Sequence, residues 1–197
     1  MAKTYVYAVS LFILVLLTGC GPAPIKMKVP DYSIGPVSSE DFSDLVQSAI
    51  PANQGEVRIS GKANWLGFSE SPGYFHVVAP YFSGVTALTD TDIFLLLYND
   101  DEQRYEILTQ VSYTGISFDP QHGRRAGGAL SLYIEEPDFT VGEKSYTPDE
   151  RTFLEFTRPT GIRSDTEKNK LAHMLFEEKV ARHVVERPPS TSFDDQY

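Results

Sequence analysis

The chain contains 197 residues with one cysteine, and its 17 Lys and Arg against 27 Asp and Glu give a formal net charge of −10. One cysteine excludes an intramolecular disulfide. A net acidic chain is a poor binder of nucleic acid, because neutralising phosphates requires clustered Lys and Arg, so no nucleic-acid partner is expected. Hydrophobic residues make up 41% of the chain, which is enough for a core, and the length fits one domain with appendages.

The N-terminus has the order of a secretory signal peptide. Lys3 provides a positive start, and residues 6–17 are apolar apart from the small Ser10. This run is too short for a typical transmembrane helix, which needs about 20 apolar residues. It therefore predicts the core of a signal peptide.

A possible attachment site follows this apolar run. The tetrad Leu17-Thr18-Gly19-Cys20 resembles the lipobox of bacterial lipoproteins. The resemblance implies cleavage before Cys20, a diacylglycerol on its thiol and acylation of the new amine, and two or more acyl chains hold a protein stably on a bilayer. The alternatives are a plain secretory signal with an incidental cysteine and an uncleaved anchor. Gly21, rather than Asp, follows Cys20. In a host with two membranes the family's sorting pattern then favours the outer membrane, with the protein facing the periplasm.

Composition divides the rest of the chain into a tether, a domain and a tail. Residues 1–19 would be the cleaved signal peptide. Residues 20–37 contain four prolines, which predicts a lipidated tether that is extended and semi-rigid. Residues 38–187 are expected to form a single globular domain, and the polar residues 188–197 a disordered tail.

Two helices are predicted at the ends of the domain. Ser38 and Asp41 have the spacing of a capping box, and apolar residues then recur on one helical face. A second capping box, Ser164 with Glu167, begins a helix over residues 165–186. The first apolar stripe consists of Phe42, Leu45, Val46, Ala49 and Ile50, and the second of Leu171, Met174, Leu175, Ala181 and Val184.

Between the helices the pattern is that of short strands. The predicted strands cover residues 57–65, 74–88, 92–98, 105–113, 130–134 and 152–156. Their short spacing and frequent turns favour an antiparallel sandwich or barrel over a parallel sheet. The apolar run at 92–98 is continuous, which indicates a buried strand.

One segment carries a family resemblance. Residues 86–113, TALTDTDIFLLLYNDDEQRYEILTQVSY, resemble the middle of a pleckstrin-homology-like or GRAM-type domain. The resemblance implies a mainly β, α+β fold, namely a pleckstrin-homology-like (PH-like) split antiparallel barrel capped by the C-terminal amphipathic helix. A short extra helix at residues 38–50 precedes the barrel. The resemblance also implies a binding or scaffolding module, without identifying a ligand.

The stretch HGRRAGG at residues 122–128 is a candidate binding loop. His122, Arg124 and Arg125 lie among glycines, so backbone amides and guanidinium groups together are suited to a phosphate or carboxylate. The stretch lacks the spacing of a phosphate-binding loop. The alternative is an exposed hairpin connection, in which glycine supplies a positive φ.

The remaining candidates for chemistry lack the patterns that catalysis or metal binding requires. His173 and Glu177 have the i, i+4 spacing that can share a metal. No HExxH motif or second pair accompanies them, and a surface pair is the alternative. There is no GxSxG motif and no calcium-loop frame around the aspartates that flank residues 92–98. We therefore predict no enzyme activity, no cofactor and no metal.

These features together favour a non-enzymatic lipoprotein of the bacterial cell envelope, anchored in the membrane by its N-terminal lipid. Its domain would bind an envelope protein, an anionic lipid or a glycan end. One alternative is an envelope hydrolase with dispersed catalytic residues, which requires an oriented Ser-His-Asp or paired-carboxylate cluster in one cleft. The other is a purely structural spacer, which requires that no apolar pocket or exposed apolar patch exists.

Overall fold

The computed structural model describes residues 32–71, 74–77, 82–120, 128–135, 139–141, 144–146, 151–160 and 163–183. The predicted signal peptide, Cys20, the basic residues of the 122–128 loop and the 188–197 tail lie outside the described residues.

Within these ranges the chain forms two helices and eleven strands. The helices are α1, Phe42–Ala49, and α2, Thr166–Lys179. The strands are β1 Ile59–Ser71, β2 Tyr74–Val77, β3 Phe82–Leu88, β4 Asp92–Asn99, β5 Arg104–Ser112, β6 Ile116–Asp119, β7 Leu130–Ile134, β8 Phe139–Val141, β9 Lys144–Tyr146, β10 Arg151–Phe156 and β11 Ala181–Arg182. The prediction of a mainly β, α+β fold is confirmed, while β6, β8, β9 and β11 were not predicted.

The main sheet is an open, largely antiparallel path. Its described strands follow the order β11-β6-β7-β10-β1-β3-β4-β5, and β2 pairs with the second half of β1. The short β11 pairs with β6 in parallel, and β8 and β9 form a separate two-stranded sheet. Because β5 and β11 end the order without pairing to each other, the sheet is not closed. The closure implied by the predicted barrel is wrong for the described strands.

Strand β4 is buried on both faces, which explains its continuous apolar run. Ile93 and Leu95 belong to the core cluster that contains α2, while Phe94 and Leu96 belong to the cluster that contains α1. Successive side chains of a strand point to opposite faces, so a strand covered on both sides needs apolar residues at every position. The prediction that 92–98 is a buried strand is confirmed.

Helix α1 buries the predicted apolar stripe. Phe42, Val46 and Ile50 are buried in the core, and Leu45 and Ala49 pack against it. The predicted capping box does not form, because Asp41 occupies the cap position and makes no capping side-chain hydrogen bond.

Helix α2 presents a different face to the core from the one predicted. Its buried residues are Asn169, Ala172, Leu175 and Phe176. Of the predicted stripe, Leu175 is buried, whereas Leu171, Met174 and Ala181 are exposed, so the prediction is wrong for these three. Val184 lies outside the described residues. The predicted capping box is also wrong, because Asp165 caps the helix by accepting a hydrogen bond from the backbone N of Lys168 at 3.2 Å.

Helix α2 also ends earlier than predicted. The last helical residue is Lys179, and the chain then extends into β11. Ala181 is consequently in a strand and exposed. Within the described parts of the chain, neither helix combines the length and apolar composition that crossing a bilayer requires.

Residues 32–37, which form the end of the predicted tether, lie against the sheet. The ring of Tyr32 packs 5.0 Å from that of Phe82. The hydroxyl of Tyr105 donates to the carbonyl of Ile34 at 2.8 Å. The described fold thus begins twelve residue steps after Cys20.

Candidate functional site

A groove lies between α1 and α2, where strand β1 begins. It consists of two adjoining cavities of about 400 and 230 Å³ that share Arg58, Ile59 and Leu171 as lining residues. Residues of α1 and the start of β1 form one bank, and residues of α2 form the other. We call this feature the helix groove.

The helix groove contains exposed apolar side chains. Leu171 is 51% exposed and Met174 is 58% exposed, and both line the groove. Ile59 and Leu175 lie beside them and are nearly buried. Among the described residues, Ile107 on β5 is the third large hydrophobic residue that is exposed, at 37%. Two of the three exposed hydrophobic residues therefore meet in one concave surface.

The rotation of α2 explains why these side chains are exposed. The side-chain amide of Asn169 donates to the carbonyl of Phe156 at 3.1 Å and accepts from the backbone N of Phe156 at 2.9 Å. Asn169 thus pairs with β10 as a neighbouring strand would, and its fully buried position fixes which side of α2 faces the sheet. With about 100° of rotation per residue, Leu171 and Met174 then fall outside the buried face.

The bank that contains α1 is acidic. Residues 38–57 contain four acidic residues and no Lys, Arg or His. Of these acidic residues, Asp44 and Glu56 line the groove. Neither carboxylate has an ion-pair partner among the residues that the structure describes.

The basic residues at the groove are already engaged. Arg58 forms an ion pair with Asp90 at 2.9 Å. The amine of Lys168 donates to the carbonyl of Ser60 at 2.5 Å, and desolvation lowers the pKa of Lys168 below its ordinary value. Gly61 permits this approach, because a Cβ at that position would lie 2.7 Å from the lysine nitrogen. The available charge in the groove is therefore negative.

A separate cavity, of about 680 Å³, lies beside the start of the described chain. Its lining includes Tyr32, Pro36, Tyr98 and Asp100. Gly35 has a φ of +59°, and a Cβ there would collide with the ring of Tyr98. The close packing of this segment indicates a structural role in fixing where the chain enters the fold.

His173 and Glu177, whose spacing could share a metal, lie on α2 with different surroundings. A ring nitrogen of His173 lies 3.1 Å from the carbonyl of Gly128, and its ring packs 5.6 Å from that of Phe118. Glu177 is exposed on the same helix. Within the described ranges, no group of three or more His, Cys, Asp or Glu side chains is arranged to hold a metal ion.

The aspartates around β4 also have protein partners. Asp92 accepts from the amide of Gln110 at 3.0 Å and from the hydroxyl of Thr91. Asp90 bridges Arg58 and Lys179, whose nitrogen lies 3.6 Å away. These carboxylates stabilise turns and the end of α2.

One serine and histidine contact bears on the hydrolase alternative. The hydroxyl of Ser117 lies 3.4 Å from Nδ1 of His183. Ser117 is only 4% exposed, and the nearby carboxylate of Asp119 pairs with Arg151 at 3.2 Å. His183 stacks on Tyr133 with the ring centroids 3.9 Å apart. This arrangement lacks an accessible nucleophile oriented through a carboxylate.

The helix groove has no signature in the sequence pattern. Leu171 and Met174 were predicted to face the core, because an apolar residue on a helix has the same sequence signal whether it is buried or exposed. The residue that determines the groove is the buried Asn169. A hydrophobic pattern does not reveal it, because such a pattern assigns polar residues to the exposed face. Cys20, His122, Arg124 and Arg125 remain predictions, because all four lie outside the described residues.

No protein family matches the sequence, and no curated protein matches it. Two solved structures of Vav1 are similar in shape. One, of Vav1 inhibited by an allosteric inhibitor, has a TM-score of 0.42 and 14% identity, and covers 66% of this chain and 28% of that one. The other, the apo structure of an activated truncation of Vav1, has a TM-score of 0.42 and 15% identity, and covers 66% of this chain and 27% of that one. The chain thus spans less than a third of the length of either structure.

Proposed function

We propose that this chain is a lipid-anchored, non-enzymatic binding module of a bacterial cell envelope. The proposal includes a PH-like domain as the binding module. The succession of antiparallel strands with α2 packed on the core supports that fold assignment.

The lipid anchor is supported by the N-terminal sequence. A positive start, a short apolar core and the tetrad ending in Cys20 occur in the order that lipoprotein processing requires. Between Cys20 and Tyr32 there are twelve residue steps, and an extended chain spans at most about 3.5 Å per residue. The fold would therefore be held within about 40 Å of the lipid attachment point.

The observation that carries the binding function is the exposed apolar surface of the helix groove. Leu171 and Met174 are half exposed or more, next to cavities large enough for side chains of a partner. Leaving such residues in water forfeits burial energy of about 25 cal/mol per Å². Large apolar side chains that stay exposed within a concave surface are a feature of interaction sites, and their presence argues against a purely structural spacer.

Site-specific photo-crosslinking tests the binding function. A photoreactive residue at position 174 in the anchored protein is expected to yield one discrete crosslinked product in intact cells. The same residue at position 107 is the matched control, since Ile107 is also exposed, and it should not give that product. Equal crosslinking from both positions, or none from position 174, would refute the groove as the binding site.

The anchor has a separate test. Cys20→Ser should abolish palmitate labelling and leave an unprocessed precursor, because the thiol that accepts the diacylglycerol is absent. A variant that still labels and migrates as the mature protein would show that the lipobox interpretation is wrong.

A further inference from the structure

We propose that the helix groove binds an amphipathic helical segment of a partner protein, with apolar residues on one face and Lys or Arg along one side. This inference rests on the proposed binding function and adds the chemistry of the partner.

The apolar part of the partner is inferred from the groove's floor. Leu171 and Met174 are three residues apart on α2 and lie beside the nearly buried Ile59. A partner helix repeats its apolar residues at i, i+3, i+4 and i+7, a spacing that fits between side chains presented by another helix. Met174 adds a flexible side chain that adapts to the shape of such anchors.

The walls of the groove favour a helix over an extended strand. An extended peptide binds by adding to a free sheet edge, where backbone donors and acceptors are available. The α2 bank and the α1 part of the other bank are helical, so their backbone groups bond within the helix. At the groove, Ile59 and Ser60 of β1 pair with β3, whereas pairing with β10 begins only at Ala63. The carbonyl of Ser60 already accepts a hydrogen bond from the amine of Lys168.

The basic side of the partner is inferred from charge. Asp44 and Glu56 line one bank without an ion-pair partner among the described residues, whereas Arg58 and Lys168 are engaged by Asp90 and the carbonyl of Ser60. Lys or Arg on the partner would form ion pairs with these carboxylates. Such complementarity steers association and suppresses partners of the wrong sign.

The same charges disfavour the two other occupants of an apolar groove. A second copy of this chain would bring the same acidic bank, on a protein of net charge −10, and like charges in contact are costly. An anionic lipid headgroup would meet Asp44 and Glu56 with the same sign.

A binding titration tests the partner chemistry. The lipidated full chain is embedded in nanodiscs of zwitterionic lipid, and the probe is a fluorescent amphipathic helical peptide of leucine and lysine. A peptide with glutamate in place of lysine is the control probe, and binding to empty discs is subtracted. The variants are Leu171→Ser with Met174→Ser, and Asp44→Asn with Glu56→Gln, with Ile107→Ser and Asp101→Asn as matched controls at exposed sites elsewhere.

The proposal expects the leucine-lysine peptide to bind and the glutamate peptide not to bind. The Leu171 and Met174 double variant should weaken binding by about tenfold or more. The Asp44 and Glu56 double variant should weaken it by between about threefold and tenfold and flatten its salt dependence. The Ile107 and Asp101 variants should bind as the unmodified protein does.

Other results overturn the proposal. Equal binding of both peptides, or no effect of the groove variants, would exclude a basic amphipathic partner. Self-association that Leu171→Ser abolishes would identify a second copy as the occupant, and a preference for anionic discs that the same variant abolishes would identify a lipid. If the peptide does not bind but position 174 still gives a discrete crosslinked product, the partner chemistry is wrong and the proposed binding function stands. If position 174 gives no crosslinked product, both proposals are refuted.

Discussion

At the scale of single residues, a buried ion pair organises one face of the sheet. Arg151 and Asp119 have side chains that are 3% and 2% exposed, and the guanidinium also donates from Nε to the hydroxyl of Ser131 at 2.8 Å. The same guanidinium lies 5.7 Å from the centroid of the Tyr133 ring and 5.3 Å from that of Phe153. The charge is therefore compensated by a carboxylate and by ring faces.

Removing one member of this pair should be costly. Arg151→Met is expected to lower the free energy of unfolding by about 3–5 kcal/mol, because it removes the guanidinium that forms an ion pair with the buried carboxylate of Asp119. Adding Asp119→Leu should recover part of that loss, since the second variant removes the buried carboxylate. Urea unfolding of Arg151→Met, of Asp119→Leu and of the double variant measures these values, and a double variant as unstable as the sum of the two single variants would contradict the pairing.

At the scale of elements, α1 and β4 were predictable and the orientation of α2 was not. In α1 and β4 the apolar residues are the ones that face a core, so the apolar pattern predicts correctly which side chains are buried. On α2 a polar residue, Asn169, is fully buried and two apolar residues are exposed. The reason is the pairing of the Asn169 amide with the backbone of Phe156, a tertiary interaction that hydrophobic periodicity cannot express.

Two substitutions on α2 distinguish its faces. Leu175→Asp should destabilise the protein by at least about 3 kcal/mol, because Leu175 is 7% exposed and a charge would enter the core. Leu171→Asp, at a 51% exposed position of the same helix, should change stability by about 0.5 kcal/mol. Thermal or urea unfolding of both variants gives the comparison. Similar losses for the two variants would mean that α2 is rotated differently on the sheet.

At the scale of the whole molecule, two buried tyrosines hold separate parts of the fold together. Tyr105 donates its hydroxyl to Ile34 at 2.8 Å, which fixes the start of the described chain. Tyr113 donates to the carbonyl of Thr89 at 2.8 Å, which joins the end of β5 to the turn before β4. Desolvation is the main cause that raises the pKa of each tyrosine above its usual value of about 10.

The raised pKa values of these two tyrosines predict that the protein loses stability at alkaline pH. In the unfolded chain they lose their protons near pH 10, whereas the fold retains them, so stability is unaffected below that pH and falls above it. Each tyrosine contributes a loss of about 1.4 kcal/mol per pH unit. Lys168 has a lowered pKa, so it adds stability as pH rises towards the ordinary pKa of a lysine. This single lysine opposes the loss of stability from the two tyrosines.

Denaturant titrations between neutral pH and pH 11 measure this loss. Tyr113→Phe should lower stability at neutral pH by about 1 kcal/mol, through loss of the hydrogen bond to Thr89, and should reduce the alkaline slope. An unchanged slope in that variant would show that other groups cause the alkaline loss.

The α+β fold class was predictable from the sequence, the membrane anchor stays a prediction, and the candidate binding surface was not predicted. The order of Lys3, the apolar core and Cys20 is local, so it can be read without a structure. The helix groove instead joins residues 43–60 to residues 168–178, and it exists only because α2 packs with Leu171 outward. Nothing in either segment alone indicates that the two meet.

The central claim is that the anchored protein presents Met174 to a partner in the envelope. Methionine oxidation measures this directly, because peroxide converts exposed methionine to the sulfoxide and Met174 is 58% exposed. We expect fast oxidation of Met174 in the purified protein and slow oxidation in native membranes, with Met27, in the predicted tether, as the internal reference. Equal oxidation rates of Met174 in both preparations would contradict the account.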